Sequence, residues 1–256
     1  NFRFGQGDLK GHSLGNLILL AATEQSGDFK NAVELVNNLL AIRGRVLPIT
    51  TENVTLVAET NDGATLRGEL AVAERGRDIR SIRLEPSGVK PVREAFSVLR
   101  HADMVILGPG SLFTSVIPNL LVEGVVEAIC RSEALKIYVC NIMTQEGESE
   151  GYTAADHLEA LLAHGCPGLV DLCLANSTPM LPGLVEKYQA EGAAPLVIDR
   201  ERIAALGLEL VERPVAAHHG DFARHDPDKL AEALLEIYRR RAVRIFRGAR
   251  RYILEE

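Results

Sequence analysis

Apolar residues in the first part of the chain recur at intervals of three and four positions, which is the period of an amphipathic helix. Leu14, Leu17 and Ile18 follow this spacing after Ser13, a residue type that caps helices. A second run with the same period follows Asp28 and stops at Gly44. The pattern predicts two consecutive helices, from Ser13 to Ser26 and from Asp28 to Gly44.

The pattern then changes to short apolar segments separated by turn residues, which is typical of β-strands. Strands are predicted at 46–49, 54–58, 65–72 and 79–84. Between the second and third of these, Asn61-Asp62-Gly63 is a strong signal for a hairpin turn. Residues 46–84 are therefore predicted to form a β-rich region.

From Pro91 onward, apolar strands alternate with amphipathic helices. The predicted strands are 104–107, 137–140, 169–174 and 196–199, and the predicted helices are 91–101, 118–131, 153–164 and 182–189. This alternation is typical of βαβ units around a parallel sheet. We predict an α/β fold, a Rossmann-like parallel sheet flanked by helices, with the β-hairpin region inserted, in one domain over residues 1–235.

Composition and charge limit the classes of protein to which this chain can belong. The chain has 256 residues, 46% hydrophobic and 25% charged, values typical of a soluble globular protein. Its formal net charge is −7, but seven arginines and no acids lie between Arg239 and Arg251. The remaining 21 basic residues face 35 acidic ones, a net charge of −14. An acidic body argues against nucleic acid as the main partner.

The basic segment is predicted to be a separate feature, an amphipathic C-terminal helix over 236–256. Such a helix can contact an anionic membrane surface or dock on the acidic body of its own or a neighbouring subunit. We favour docking or oligomer packing through 239–251 over a membrane contact, and we expect a homo-oligomer. The four cysteines form no Cys-x-x-Cys pair, and no apolar leader opens the sequence. We therefore expect free thiols and a cytoplasmic protein.

Two predicted strands run into polar loops that suit a ligand, because open parallel sheets bind ligands beyond the carboxyl ends of their strands. After strand 104–107, Gly108 and Gly110 allow close backbone approach to an anion, and Ser111 and Thr114 supply hydroxyl donors. The segment is a candidate phosphate cradle. The alternative is an ordinary glycine turn.

The second polar loop, 141–152, follows strand 137–140. Asn141, Thr144 and Gln145 could contact ribose or sugar hydroxyls, and Asn16 at the first helix start could face the same cleft. The alternative is an acidic loop that caps the next helix. The histidines and cysteines show no metal-ligand spacing, so no metal site is predicted.

Several segments together resemble the YvcK/CofD-like family over residues 4–235. These are 11–17, 108–120, 141–145, 151–158 and 224–226 (Gly-His-Ser-Leu-Gly-Asn-Leu, Gly-Pro-Gly-Ser-Leu-Phe-Thr-Ser-Val-Ile-Pro-Asn-Leu, Asn-Ile-Met-Thr-Gln, Gly-Tyr-Thr-Ala-Ala-Asp-His-Leu and Arg-His-Asp), with Glu148. The family's Gly-Gly-Gly-Thr-Gly and Asp-Asp-Gly-Gly-Ser loops do not occur here. The sequence therefore starts inside the family pattern, either because a segment precedes Asn1 or because the chain is a shorter homologue.

The resemblance implies one of two functions. The YvcK branch consists of cytoplasmic gluconeogenesis factors, tied to cell shape and wall synthesis on gluconeogenic carbon sources, which bind nucleotide sugars such as UDP-N-acetylglucosamine. The CofD branch is a metal-dependent 2-phospho-L-lactate transferase, which would require Mg²⁺. The Gly-Pro-Gly-Ser stretch at 108–111 favours the YvcK branch. The expected ligand is a nucleotide sugar or an NAD(P)-type dinucleotide.

Overall fold

Two capped helices open the chain, as predicted. The computed structural model describes residues 2–75, 79–220 and 222–253, without the side chains of residues 75, 219 and 242–253. Helix α1 spans Leu14–Ser26, and helix α2 spans Phe29–Leu39. The Ser13 hydroxyl accepts the Asn16 N–H at 3.1 Å and caps α1, and Asp28 caps α2 in the same way. Helix α2 ends earlier than the predicted Gly44, because the backbone leaves the helix at Ala41, where φ is 49°.

The β-rich region forms a three-stranded antiparallel sheet. Its strands are β1 (Thr55–Thr60), β2 (Thr65–Arg67) and β3 (Ile79–Glu85), in the order β2-β1-β3. Two details of the prediction were wrong. Residues 46–49 form no strand, since Pro48 has no N–H to donate to a ladder. Strand β2 ends before Gly68, and the helix formers that follow build α3 (Glu69–Arg75).

The predicted parallel sheet follows, with helices between its strands. In chain order the elements are α4 (Arg93–His101), β4 (Met104–Leu107), a π-helical turn (Leu112–Val116), α5 (Ile117–Leu120), α6 (Val125–Arg131), β5 (Leu135–Val139), α7 (Ala154–Ala163), β6 (Leu172–Asn176), α8 (Pro182–Ala190), α9 (Arg200–Ala205) and β7 (Glu209–Arg213). The four strands pair in parallel in the order β4-β5-β6-β7. The α/β prediction is confirmed.

Both faces of this sheet are covered. The crossover helices pack against one face through residues such as Tyr138 of β5, and the last helix, α10 (Pro227–Ile253), packs against the other. Leu234 and Ile237 of α10 lie in the same buried cluster as Ile137 of β5. An antiparallel hairpin, β8 (Ala216–His219) and β9 (Phe222–His225), connects β7 to α10. The predicted boundary at residue 235 lies within α10.

Three further sequence predictions need correction. The single helix predicted at 118–131 is interrupted between α5 and α6, where Gly124 adopts a φ of 78°. Residues 196–199 form only an isolated bridge between Val197 and Thr153. The fourth strand of the sheet is β7, whose partly exposed, charge-containing sequence lacks the apolar run of a central strand.

The expectation of four free thiols was also wrong. Cys130 at the end of α6 and Cys166 after α7 form a disulfide, whereas Cys140 and Cys173 are free and buried. In the described residues no single helix is long and apolar enough to cross a membrane. The segments Leu112–Leu120 and Val125–Arg131 meet those criteria of length and composition only as a pair bent by 77°.

Candidate ligand-binding site

Two glycines in the loop after β4 lie where the backbone passes close to neighbouring atoms. Gly108 has a φ of 87°, and a Cβ atom there would lie 3.0 Å from the carbonyl oxygen of Val139. At Gly110 a Cβ atom would lie 3.2 Å from the Ser115 side chain. A side chain at position 108 would push the loop away from the neighbouring strand end, and one at position 110 would push it away from the following π-helical turn. The glycines therefore let the chain turn tightly at the carboxyl edge of the sheet.

The amino end of the following π-helical turn already holds an anion supplied by the protein. The carboxylate of Glu148 accepts the N–H of Phe113 at 2.6 Å and that of Thr114 at 3.0 Å, with the Thr114 hydroxyl 3.3 Å away. Glu148 is 3% exposed, and burial raises the pKa of its carboxyl, opposed by these hydrogen bonds. The predicted phosphate ligand Thr114 is thus bound to Glu148.

A chain of side-chain hydrogen bonds links the two polar loops. The Gln145 amide donates to the Ser111 hydroxyl at 2.9 Å, and the Asn141 amide lies 3.4 Å from the Gln145 oxygen. The Gln145 backbone N–H donates to Ser149 at 3.1 Å, which orients the loop. Thr144 is buried and exchanges hydrogen bonds with the backbone of Ala194. These contacts hold polar groups from two strand ends in fixed positions.

The hairpin after β7 brings further groups to the same edge. Arg224 lies over the Phe222 ring, 5.3 Å from its centroid, and no described carboxylate pairs with its guanidinium. The Tyr188 hydroxyl of α8 accepts the Ala223 N–H at 3.1 Å. His225 is mostly buried, and desolvation lowers its pKa, so the imidazole is neutral at pH 7. Its Nε2 atom is buried and has no hydrogen-bond partner within the described part of the chain.

These segments enclose one cavity of about 510 Å³. This volume is in the range of small-molecule sites. The cavity is lined by three strand-end residues of the first loop, five of the second, one residue of α8 and three of β9: Pro109, Gly110, Ser111, Asn141, Ile142, Met143, Thr144, Gln145, Tyr188, Ala223, Arg224 and His225.

The sequence-predicted residues divide into two groups. Gly110, Ser111, Asn141, Thr144 and Gln145 line the cavity together. The other three do not line it: Gly108 forms the preceding turn, Thr114 contacts Glu148, and Asn16 is exposed on α1.

Sequence reasoning missed three lining residues whose side chains carry polar or charged groups, Tyr188, Arg224 and His225. Arg224 and His225 belong to a segment that carries the family resemblance, and that signal could have indicated them. Tyr188 lies in an ordinary amphipathic helix and had no such signal.

The lining of the cavity does not fit a metal ion held by the protein. Among the described residues no carboxylate lines it, and Mg²⁺ prefers carboxylate oxygen ligands. Within the described ranges no group of three or more His, Cys, Asp and Glu side chains is placed to hold a metal. The cavity instead offers amide, hydroxyl and guanidinium groups, which bind anions and hydroxyls.

The family follows from a comparison with known proteins. A family model described as 2-phospho-L-lactate transferase CofD matches residues 1–216. The chain belongs to the CofD family. Within this family, it is 42% identical over 235 residues to the gluconeogenesis factor of Halalkalibacterium halodurans, spanning 91% of this chain and 73% of that protein. It is 44% identical over 237 residues to the gluconeogenesis factor of Bacillus subtilis, spanning 92% and 74%.

Solved structures similar to this chain support the fold. A crystal structure of a UPF0052 family member from Bacillus halodurans matches this chain with a TM-score of 0.86 at 41% identity, covering 91% of this chain and 76% of that one. A second structure from the same organism matches with a TM-score of 0.84 at 40% identity. Identity and structural similarity at these levels confirm the family resemblance read from the sequence.

Proposed function

We propose that this CofD-family protein binds a nucleotide sugar of the UDP-N-acetylglucosamine class in the cavity of about 510 Å³ and acts as a gluconeogenesis factor. The observation that carries the proposal is the lining itself. A guanidinium faces two loops of amide and hydroxyl donors, and no carboxylate opposes it. A nucleotide sugar needs these groups, because it combines a diphosphate with many hydroxyls.

The diphosphate is assigned to Arg224 and the loop after β4. A guanidinium binds phosphate oxygens in bidentate fashion, and Arg224 has no described carboxylate competing for it. The Ser111 hydroxyl accepts a hydrogen bond from Gln145, so its own proton is free to be donated. The cation also matters because the body of the protein is acidic and would otherwise repel a diphosphate.

The nucleoside and sugar are assigned to the remaining lining. The hydrogen bond between Tyr188 and Ala223 fixes the tyrosine ring beside the hairpin, where its face can stack on a base. Asn141 and Gln145 can bind hydroxyls with their amide groups. An NAD(P)-type dinucleotide shares the diphosphate, so it is the competing ligand in the experiment below.

The wider role follows from the relatives. Two of them, matched over more than 90% of this chain, are named gluconeogenesis factors. By family resemblance, the proposed role is regulation of carbon flow toward cell-wall synthesis and cell shape in the cytoplasm.

A phospholactyl transferase is the second candidate because of the family model's description. We rank it lower because the cavity lacks carboxylates for a metal.

Calorimetric titration with UDP-N-acetylglucosamine tests the proposal. Arg224→Gln removes the charge and should weaken binding about tenfold to a hundredfold, while Arg224→Lys should recover part of the loss. Ser111→Ala should weaken binding by a smaller factor. Asn16→Ala is the matched control, because Asn16 is exposed on α1 and should not change the affinity.

Three outcomes would overturn the assignment. The cavity is misplaced if Arg224→Gln and Ser111→Ala bind as tightly as the parent protein. The ligand class is wrong if NAD⁺ binds more tightly than the UDP-sugar. A transferase is favoured if a phospholactyl group passes from an activated nucleotide donor to a deazaflavin acceptor.

A further inference from the structure

A second cavity, of about 640 Å³, lies at the opposite edge of the parallel sheet. It is lined by the amino ends of β4 and β5, the ends of α4 and α6, the residue before β6, and α10. Its charged and aromatic lining residues are Arg100, His101, Asp103, Arg131, Glu133, Lys136, Asp171, Tyr238 and Arg241. It shares no residue with the cavity at the carboxyl edge.

The unusual residue in this cavity is Lys136. It is only 8% exposed, yet in the described ranges its ammonium group has no hydrogen-bond or ion-pair partner. Its hydrogen bonds are made by the backbone: the N–H donates to the Asp171 carboxylate at 2.8 Å and the carbonyl accepts the Asp171 N–H at 2.9 Å. Its ammonium nitrogen is not among the fully buried polar atoms of the described residues, so the packed side chain presents its charge to the cavity, where an anion can bind it.

The other positively charged side chains in this cavity have interactions that account in part for their positions. Arg100 and Arg131 lie in the last turns of α4 and α6, where positive charge offsets the helix dipoles. Arg131 also pairs with Glu127 at 2.8 Å. Arg241 of α10 lies 3.9 Å from Glu209, a loose pair. None of these explanations applies to Lys136, which lies within β5.

Hydrogen-bond acceptors lie beside these cations. Asp103, Glu133 and Asp171 line the same cavity, and the ends of α4 and α6 expose carbonyl groups without helical partners. Inorganic phosphate would satisfy the cations but not the acceptors. A ligand that carries both a phosphate and several hydroxyls satisfies both sets, because hydroxyls donate to carboxylates and carbonyls.

We propose that the cavity at the amino-terminal edge is an effector site for a small polyhydroxylated phosphate monoester, a sugar phosphate. Its phosphate lies against Lys136, with Arg100 and Arg241 at the rim, and its hydroxyls donate to Asp171 and the helix-end carbonyls. Tyr238 and Arg241 belong to α10, so the ligand also contacts the helix that covers the other face of the sheet.

The experiment is a calorimetric titration of glucose 6-phosphate into protein saturated with UDP-N-acetylglucosamine, so that the first cavity is filled. Lys136→Met keeps the length of the side chain, removes its positive charge and should weaken binding about tenfold. Lys90→Met is the matched control, since Lys90 is an exposed lysine paired with Glu123 outside this cavity, and it should bind like the parent. Glucose alone and inorganic phosphate alone should each bind more weakly than the phosphate ester.

The proposal is overturned if Lys136→Met binds glucose 6-phosphate like the parent, or if Arg224→Gln, rather than Lys136→Met, abolishes binding. It is also overturned if inorganic phosphate binds as tightly as the ester. Should Lys136→Met fail to fold, Arg100→Gln and Arg241→Gln decide, because both residues are exposed, and unchanged binding by both overturns the site. If UDP-N-acetylglucosamine does not bind at all, the same variants are titrated without it, so the two proposals fail independently.

Discussion

At the scale of single residues, the buried pair Tyr138 and His157 has the clearest link to pH. Both side chains are fully buried, and the Tyr138 hydroxyl lies 2.8 Å from Nδ1 of His157. Desolvation lowers the pKa of His157 from 6.5 to about 4. Because the folded state holds the neutral imidazole, its contribution to stability is complete above pH 6.5 and is lost as the pH falls to about 4.

We predict that this histidine lowers the free energy of unfolding by about 3 kcal/mol as the pH falls from 6.5 to about 4. His157→Gln keeps a hydrogen-bonding group near Tyr138 but does not titrate, so its stability should depend less on pH over that interval. Denaturant unfolding at a series of pH values measures the difference. The exposed His101→Gln variant should keep the parent's slope, and an equal slope for His157→Gln would contradict the prediction.

At the scale of elements, Glu148 joins the two loops of the candidate site. It lies in the loop after β5, but its carboxylate accepts backbone hydrogen bonds from the turn after β4. Burial raises the pKa of Glu148, and the nearby negative charge of Glu69 in α3 acts in the same direction. The folded state therefore binds this proton more tightly than the unfolded chain, so deprotonation of Glu148 lowers stability as the pH rises.

The Glu148→Gln variant tests this dependence of stability on pH. Relative to this variant, the parent should gain stability as the pH falls through the raised pKa of Glu148 toward 4.5, the ordinary value for a glutamate. Urea unfolding of the two proteins side by side measures the difference at each pH. Parallel stability curves would contradict the prediction. Glu150→Gln, a change to an exposed carboxylate in the same loop, is the matched control.

Also at the scale of elements, the sequence predicted buried strands better than edge elements. Strands β4 and β5 were predicted because a strand covered on both faces has a continuous apolar run. The same logic failed at 196–199, where an apolar run forms only an isolated bridge. It also missed β7 and the hairpin that carries Arg224. Edge strands contain charged residues, and their partners are determined by tertiary pairing rather than by local pattern.

The candidate site shows the same limit. Gly110 and Ser111 could be predicted because glycine after a strand is a local signal. The role of Glu148 could not be predicted, because it depends on the approach of two loops 34 residues apart. Thr114 was accordingly assigned to an external phosphate when its hydrogen bonds go to Glu148.

At the scale of the whole molecule, charge is unevenly distributed. Seven arginines lie between residues 239 and 251, and the rest of the chain carries a net charge of −14. The backbone of this segment continues α10, but the side chains of 242–253, on which the predicted docking depends, lie outside the described residues. Attraction between the segment and the acidic body of a second copy stays a prediction.

Sedimentation velocity tests whether the basic segment drives self-association. Self-association should weaken between about 0.05 M and about 0.5 M salt, because exposed charges are screened over shorter distances at higher ionic strength. Changing Arg244, Arg247 and Arg251 together to glutamine should reduce association at low salt, whereas changing Arg67 and Arg80 should not. A variant that sediments like the parent at low salt would contradict docking. Binding of the monomeric parent to anionic vesicles would instead support the membrane alternative.

The lining of the first cavity also determines when the proposed nucleotide-sugar ligand could first bind during synthesis. Gly110 and Arg224 face the same space but are separated by 114 positions in the chain. A ribosome completes the glycine loop and three further strands of the sheet, β5, β6 and β7, before it adds the hairpin with Arg224. A nascent chain that has folded its sheet therefore still lacks the guanidinium, so ligand can stabilise the nearly finished protein but cannot assist its early folding.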